Sequence, residues 1–97
     1  MPTYILLARW TNQGLQKIGD SPSRLEAGKK AFKAAGAQLK EFYLVMGEYD
    51  MISIAEAPDD ATMARAILAV TSKGYIQTET LRAFTESEYK KIFAGIG

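Results

Sequence analysis

The chain has 97 residues, 47% of them apolar and 24% charged, with a formal net charge of +1. Such a length and balance describe a single domain over residues 1–97 with a modest core, and a nearly neutral surface gives little electrostatic hold on nucleic acid or an anionic membrane. Cys and His are both absent, which excludes disulfides, the usual Cys/His zinc sites, His-ligated haem, and nucleophilic catalysis by Cys or a Ser–His pair.

Tyr4 to Trp10 reads as the first strand. One parity carries Tyr4, Leu6, Ala8 and Trp10 and the other Ile5, Leu7 and Arg9, so both faces are apolar and both are expected to be covered. Thr11 to Asp20 is a connector with one helical turn, capped by Thr11, that places Leu15 and Ile18 inward. Ser21 is the expected N-cap of a first long helix with Pro22 at the first helical position. Leu25, Gly28, Phe32 and Ala35 give this helix an apolar face, and Gly36 ends it.

The second strand is expected over Gln38 to Met46 and the third over Met51 to Ala57. Between them, Gly47-Glu48-Tyr49-Asp50 suits a hairpin loop, since the leading Gly can take the positive φ that closes one. Pro58, Asp59 and Asp60 open a second helix, with the acidic groups where its dipole favours them. Met63, Ala66, Ile67 and Val70 form its buried stripe, widened by Ala64 and Leu68, and Gly74 is its stop. Tyr75 to Phe84 is the fourth strand. Thr85 and Glu88 match a capping box, followed at helical spacing by Tyr89, Ile92, Phe93 and Ile96.

The order β-α-β-β-α-β plus a terminal helix predicts an α+β, ferredoxin-like domain. Its four-stranded antiparallel sheet carries both long helices on one face. Strand one and the Phe42, Leu44, Met46 parity of strand two would make the other face too apolar to stand in water. A second copy packing there is the simplest cover, and the terminal helix covering it within one chain is the alternative.

Several separated motifs carry a resemblance. Gly47-Glu48-Tyr49-Asp50, then Glu56-Ala57-Pro58-Asp59-Asp60, then Gly74 and Thr78-Glu79-Thr80-Leu81-Arg82-Ala83-Phe84, look like the GYD-domain family. Trp10-Thr11 with Gln13-Gly14, and Ser21-Pro22 with Arg24, fit its N-terminal half. The resemblance implies a dimeric α/β barrel and says little about function. A looser similarity, to the effector-binding domain of leucine-responsive bacterial regulators, implies oligomerisation and small amino-acid-like ligands. No helix-turn-helix segment stands ahead of the domain, so DNA binding does not carry over.

The candidate ligand-binding residues are Tyr49, Asp50, Thr78, Thr80 and Arg82. Tyr49 and Asp50 fall at a strand end, where a barrel mouth would lie. Either Gln77 and Glu79 or Thr78, Thr80 and Arg82 should point into the helix layer or the barrel, because the two sets have opposite parity. Polar groups there need partners, and a ligand or a second subunit could supply them. The favoured reading is an oligomeric small-molecule-binding or regulatory module with no cofactor and no metal. The alternative is a cofactor-independent oxygenase or isomerase, for which Asp50, Glu79, Glu41 and Tyr49 are the only acid–base groups on offer. Without an apolar run of about 20 residues or a basic-then-apolar N-terminus, no membrane partner is expected and a cytoplasmic location is the default.

Overall fold

The computed structural model describes residues 1–97. In chain order they form β1 (Thr3–Trp10), a short α1 (Asn12–Gln16), a 3-10 turn over Ile18–Asp20, α2 (Ser21–Ala35), β2 (Gln38–Leu44), β3 (Met51–Glu56), α3 (Asp60–Thr71), β4 (Ile76–Ala83) and α4 (Glu86–Ala94). All neighbouring strands are antiparallel, in the order β2-β3-β1-β4. Helices α2 and α3 pack against each other on one face of this sheet. The expected ferredoxin-like arrangement is the one formed.

The two apolar parities of β1 explain the layering. Tyr4, Leu6 and Ala8 are buried beneath the helices, whereas Ile5 and Leu7 are half-buried on the helix-free face. Across β3, Ala55 joins the core and Ile52 and Ile54 face away. Phe32 from α2 and Met63 and Ala66 from α3 complete the core. Full burial of a side chain such as Phe32 or Met63 contributes about 1.5–3 kcal/mol. Ala55, Ala57 and Ala66 are wholly inaccessible, so small side chains let the helices approach the sheet closely.

Helix ends follow the local chemistry. Asp59 caps α3 by accepting from the Thr62 N–H at 2.8 Å, and hydrogen bonding from Thr62 holds its carboxyl below the usual range. Thr85 and Glu88 form the reciprocal capping box of α4. Gly36 closes α2 in the left-handed conformation, φ 97°. The start of α2 differs by one residue: Asp20 stands at the N-cap, and Ser21 instead accepts from the Trp10 indole N–H at 3.3 Å.

Other expectations are corrected by packing. Leu15 and Ile18 are exposed, because α1 turns Gly14 inward against the Tyr75 carbonyl and so rotates Leu15 outward. On α3, Ala64 and Leu68 are exposed, leaving the buried stripe narrower than expected. Strand β2 ends at Leu44, and Met46 lies beyond it at 101% relative exposure.

A register shift between Leu39 and Glu41 has a larger effect. The extra residue brings Phe42 opposite Ser53 and Leu44 opposite Met51. Phe42 and Leu44 therefore share the helix-side parity of β3, not the helix-free one expected of them. The helix-free face takes its apolar character from Ile5, Leu7, Ile52, Ile54, Tyr43 and Leu81 instead. Helix α4 does not cover it: no residue of α4 is buried, and Tyr89, Ile92 and Phe93 stay largely exposed.

Candidate functional site

The connection from β2 to β3 is closed by the Val45 N–H donating to the Asp50 carbonyl at 2.9 Å. Asp50 then locks the hairpin end onto β1. Its backbone N–H donates to the Ala8 carbonyl at 2.9 Å, and its Oδ2 accepts from the Trp10 N–H at 3.0 Å. The carboxylate continues the ladder where β3 has run out of backbone acceptors, a local use of a short acidic side chain.

Next to it, four side chains meet on the helix-free face. The Tyr49 phenol donates to Glu79 Oε2 at 2.5 Å. The Arg9 guanidinium lies over the Tyr49 ring, 4.5 Å from its centroid, and pairs with Glu48 Oε1 at 2.9 Å. Arg9 Nε also donates to the Glu48 carbonyl at 2.7 Å. Glu79 raises the Tyr49 pKa above the ordinary phenol value, chiefly through the hydrogen bond. The cluster is therefore a tied polar corner, two carboxylates to one guanidinium, at one end of an apolar sheet face.

The remaining candidates lie on the other side of the sheet. Thr78, Thr80 and Arg82 stand opposite Ala8, Leu6 and Tyr4 of β1, so they share the helix-side parity. Tyr49 and Asp50 are thus adjacent, but the sheet separates Tyr49 from the three β4 residues. Thr80 and Arg82 border a cleft beside α3 with Tyr4 and Asp60. There the Tyr4 phenol donates to Asp60 Oδ1, and burial with this carboxylate pushes its pKa up to about 12. Arg82 lies 4.5 Å from the Phe84 ring centroid and donates to the Ala83 carbonyl.

Thr78 belongs to a different space, a cavity of about 300 Å³ between the sheet and helices α2 and α3. Leu6, Phe32, Leu39, Phe42, Ile67 and Val70 give it apolar walls. Leu39 and Phe42 both reach it although they are three apart in sequence, which the β2 register shift makes possible. Its polar end is built from distant segments: Trp10, Ser21, Arg24, Lys73 and Tyr75. Arg24 stacks on Tyr75 at 4.1 Å and donates to the carbonyls of Gly14 and Lys17 at 3.1 and 2.6 Å. Thr11 clamps the same corner, donating to the Gly74 carbonyl at 2.6 Å and accepting from the Gly14 N–H at 3.1 Å.

Sequence reasoning did not select Arg24, Lys73 and Tyr75 as site residues. The available signal was that Trp10, Thr11, Gly14, Ser21, Arg24 and Gly74 all belong to the motifs of the family resemblance. The fold brings these separated motifs to one corner.

The architecture defines a ferredoxin-like α+β domain with a partly open, mostly apolar cavity of about 300 Å³ between its sheet and its helices. The GYD domain model matches residues 4–93, and the chain belongs to the GYD domain family. It is 37% identical over 84 residues to the "Glutamine synthetase and cystathionine beta-lyase binding protein" of Thermus thermophilus, covering 86% of this chain and 88% of the relative. Among solved structures, FFRP-DM1 superposes with a TM-score of 0.60 at 27% identity, over 87% of this chain and all of that one (100%). The feast or famine regulatory protein from M. tuberculosis, complexed with L-methionine, gives a TM-score of 0.67 at 12% identity. That likeness concerns the fold, and it covers 88% of this chain but only 51% of the regulatory protein, about half its length.

Proposed function

We propose that this GYD-domain protein is a homo-oligomeric binding module that acts by recognition and not by catalysis. The observation that carries the reading is the helix-free sheet face. Ile5 pairs across the strands with Ile54 and Leu81, and Leu7 and Tyr43 both pair with Ile52, giving one continuous apolar patch. The Arg9–Glu48–Tyr49–Glu79 corner provides it with a polar edge. An apolar centre with a polar rim is the anatomy of an interface. A second copy fits it best, because two such sheets pack face to face by a two-fold operation that brings the same patch to both sides. The exposed stripe of α4, Tyr89, Ile92 and Phe93, is available to the same partner.

The name of the Thermus relative, which describes binding to two enzymes, supports a recognition role. In this reading Tyr49 and Asp50 serve the end of the sheet interface, and small-molecule recognition belongs to the helix side of β4, where Thr78, Thr80 and Arg82 lie. The setting proposed is the cytoplasm. No helix is long and apolar enough to cross a membrane.

Sedimentation equilibrium at micromolar concentration tests the assembly. The wild-type protein should sediment as a dimer or larger, and both Ile54→Lys and Tyr43→Glu should shift it to monomer with an unchanged far-UV circular dichroism spectrum. A wild-type monomer would remove the face-to-face model.

A further inference from the structure

We propose that the cavity between the sheet and helices α2 and α3 binds an apolar monocarboxylate, an acyl or aryl chain whose anionic end meets Arg24 and Lys73. The inference rests on the small-molecule reading above and names its site and ligand class.

Volume comes first. At about 30 Å³ for each water-sized group, 300 Å³ accommodates about ten non-hydrogen atoms. This lies at the small end of ligand pockets. Walls such as Leu6, Phe32, Phe42 and Val70 offer an occupant no hydrogen bonds, so most of it must be hydrocarbon.

Charge decides the other end. Arg24 and Lys73 line the cavity together with no Asp or Glu. The salt bridges of the chain are Arg9–Glu48, Lys29–Glu26 and Lys90–Glu86, so neither cation is neutralised by a carboxylate. Arg24 is nevertheless held in place by two carbonyls and the Tyr75 ring. A guanidinium fixed in this way keeps further donors for an incoming oxyanion, since it has five N–H groups. The Ser21 hydroxyl, which accepts from the Trp10 indole N–H, lines the same cavity and keeps its own proton to donate. A cationic ligand would meet two like charges, and a neutral alcohol would leave both uncompensated.

Trp10 is the single tryptophan, and it lines the cavity, so its fluorescence reports occupancy directly. The experiment titrates the full chain with octanoate, octanol and octylammonium. Octanoate should change Trp10 emission saturably, octanol should bind at least about tenfold more weakly, and octylammonium should not bind. Ala31→Leu, which fills the cavity from α2, should abolish the octanoate signal. Lys73→Gln, an exposed side chain without an ion-pair partner, should weaken octanoate but not octanol. Arg24→Gln should do so more strongly, with circular dichroism as the check on folding because Arg24 also braces Gly14 and Lys17.

Equal affinity for octanoate and octanol would overturn the inference, as would the absence of any saturable change. So would an octanoate affinity indifferent to both Ala31→Leu and Lys73→Gln. The titration reads one chain's cavity and sedimentation reads the sheet face. A monomer that binds octanoate therefore supports this inference while removing the oligomeric part of the proposed function.

Discussion

The Tyr49 phenol donates to Glu79 Oε2 at 2.5 Å, tying the hairpin to the last strand across 30 residues of sequence. Neither residue is buried in the single chain. An exposed neutral-to-charged hydrogen bond of this kind competes with water and should add little to monomer stability. Tyr49→Phe and Glu79→Gln should therefore leave urea denaturation midpoints nearly unchanged under dilute conditions. If the corner edges a sheet–sheet interface, both substitutions should weaken self-association measured by sedimentation, and the double variant should be no weaker than either single one. Unaltered association in all three variants would remove the corner from the interface.

Asp50 has a backbone partner, the Trp10 N–H at 3.0 Å. Asp50→Asn keeps an acceptor and should cost less than Asp50→Ala, which strands a part-buried donor and should cost about 1–3 kcal/mol. Chemical denaturation of the three proteins measures the difference. If Asp50→Asn left stability intact but reduced affinity for a cationic ligand, Asp50 would be a ligand contact and not a structural anchor.

Gly14 is irreplaceable for a steric reason. A Cβ there would lie 2.2 Å from the Tyr75 carbonyl oxygen, a backbone atom that cannot rotate away. The same oxygen accepts from the Thr11 N–H at 3.0 Å. Gly14→Ala should destabilise by about 1–3 kcal/mol, the usual cost of overpacking. It should also shift Trp10 emission, because the clamped corner adjoins that ring. Gly19→Ala, where a Cβ meets open space, is the matched control and should change neither.

Tyr4 gives the fold an alkaline limit. Its folded-state pKa, about 12, is above the unfolded value of 10.0. The neutral phenol is thus favoured by the folded state, and the associated stability is fully present below pH 10. It is lost progressively as pH rises from about 10 through about 12. Denaturation curves over this window should show a steeper fall for the wild-type protein than for Tyr4→Phe. Parallel curves would mean that Tyr4 does not carry the effect.

The capping box of α4 supplies a test of how far that helix is coupled to the rest. Thr85→Ala removes the acceptor for the Glu88 N–H and should cost α4 about 1 kcal/mol. Because α4 buries no residue in the single chain, dilute samples should show faster amide exchange confined to residues 86–94 and an unchanged melting temperature. At concentrations that favour assembly, a partner docked on the Tyr89–Phe93 stripe should restore protection. A drop in melting temperature at all concentrations would show α4 to be part of the monomer's cooperative unit.

The sequence by itself determined the elements and their order, because the relevant signals are local. The double apolar parity of Tyr4–Trp10, the caps at Thr11 and Thr85, the acidic opening of α3 at Asp59 and Asp60, and the stop at Gly36 each act within a few residues. With the right-handed crossover rule, they leave few folds other than the ferredoxin-like one. Tertiary structure decided which faces the polar groups share. Leu39 and Phe42 reach one cavity only because an extra residue enters β2 between paired positions. Glu79 joins Tyr49, and Thr78 joins Arg24, only because β4 is registered against β1 with Glu79 opposite Leu7. Register is a property of hydrogen bonds between strands, and a one-residue slip reverses every side chain without altering the apolar period. The cation-bearing end of the cavity depends on the same non-local bonds, since Trp10, Arg24, Lys73 and Tyr75 meet only after both crossovers have closed over the sheet.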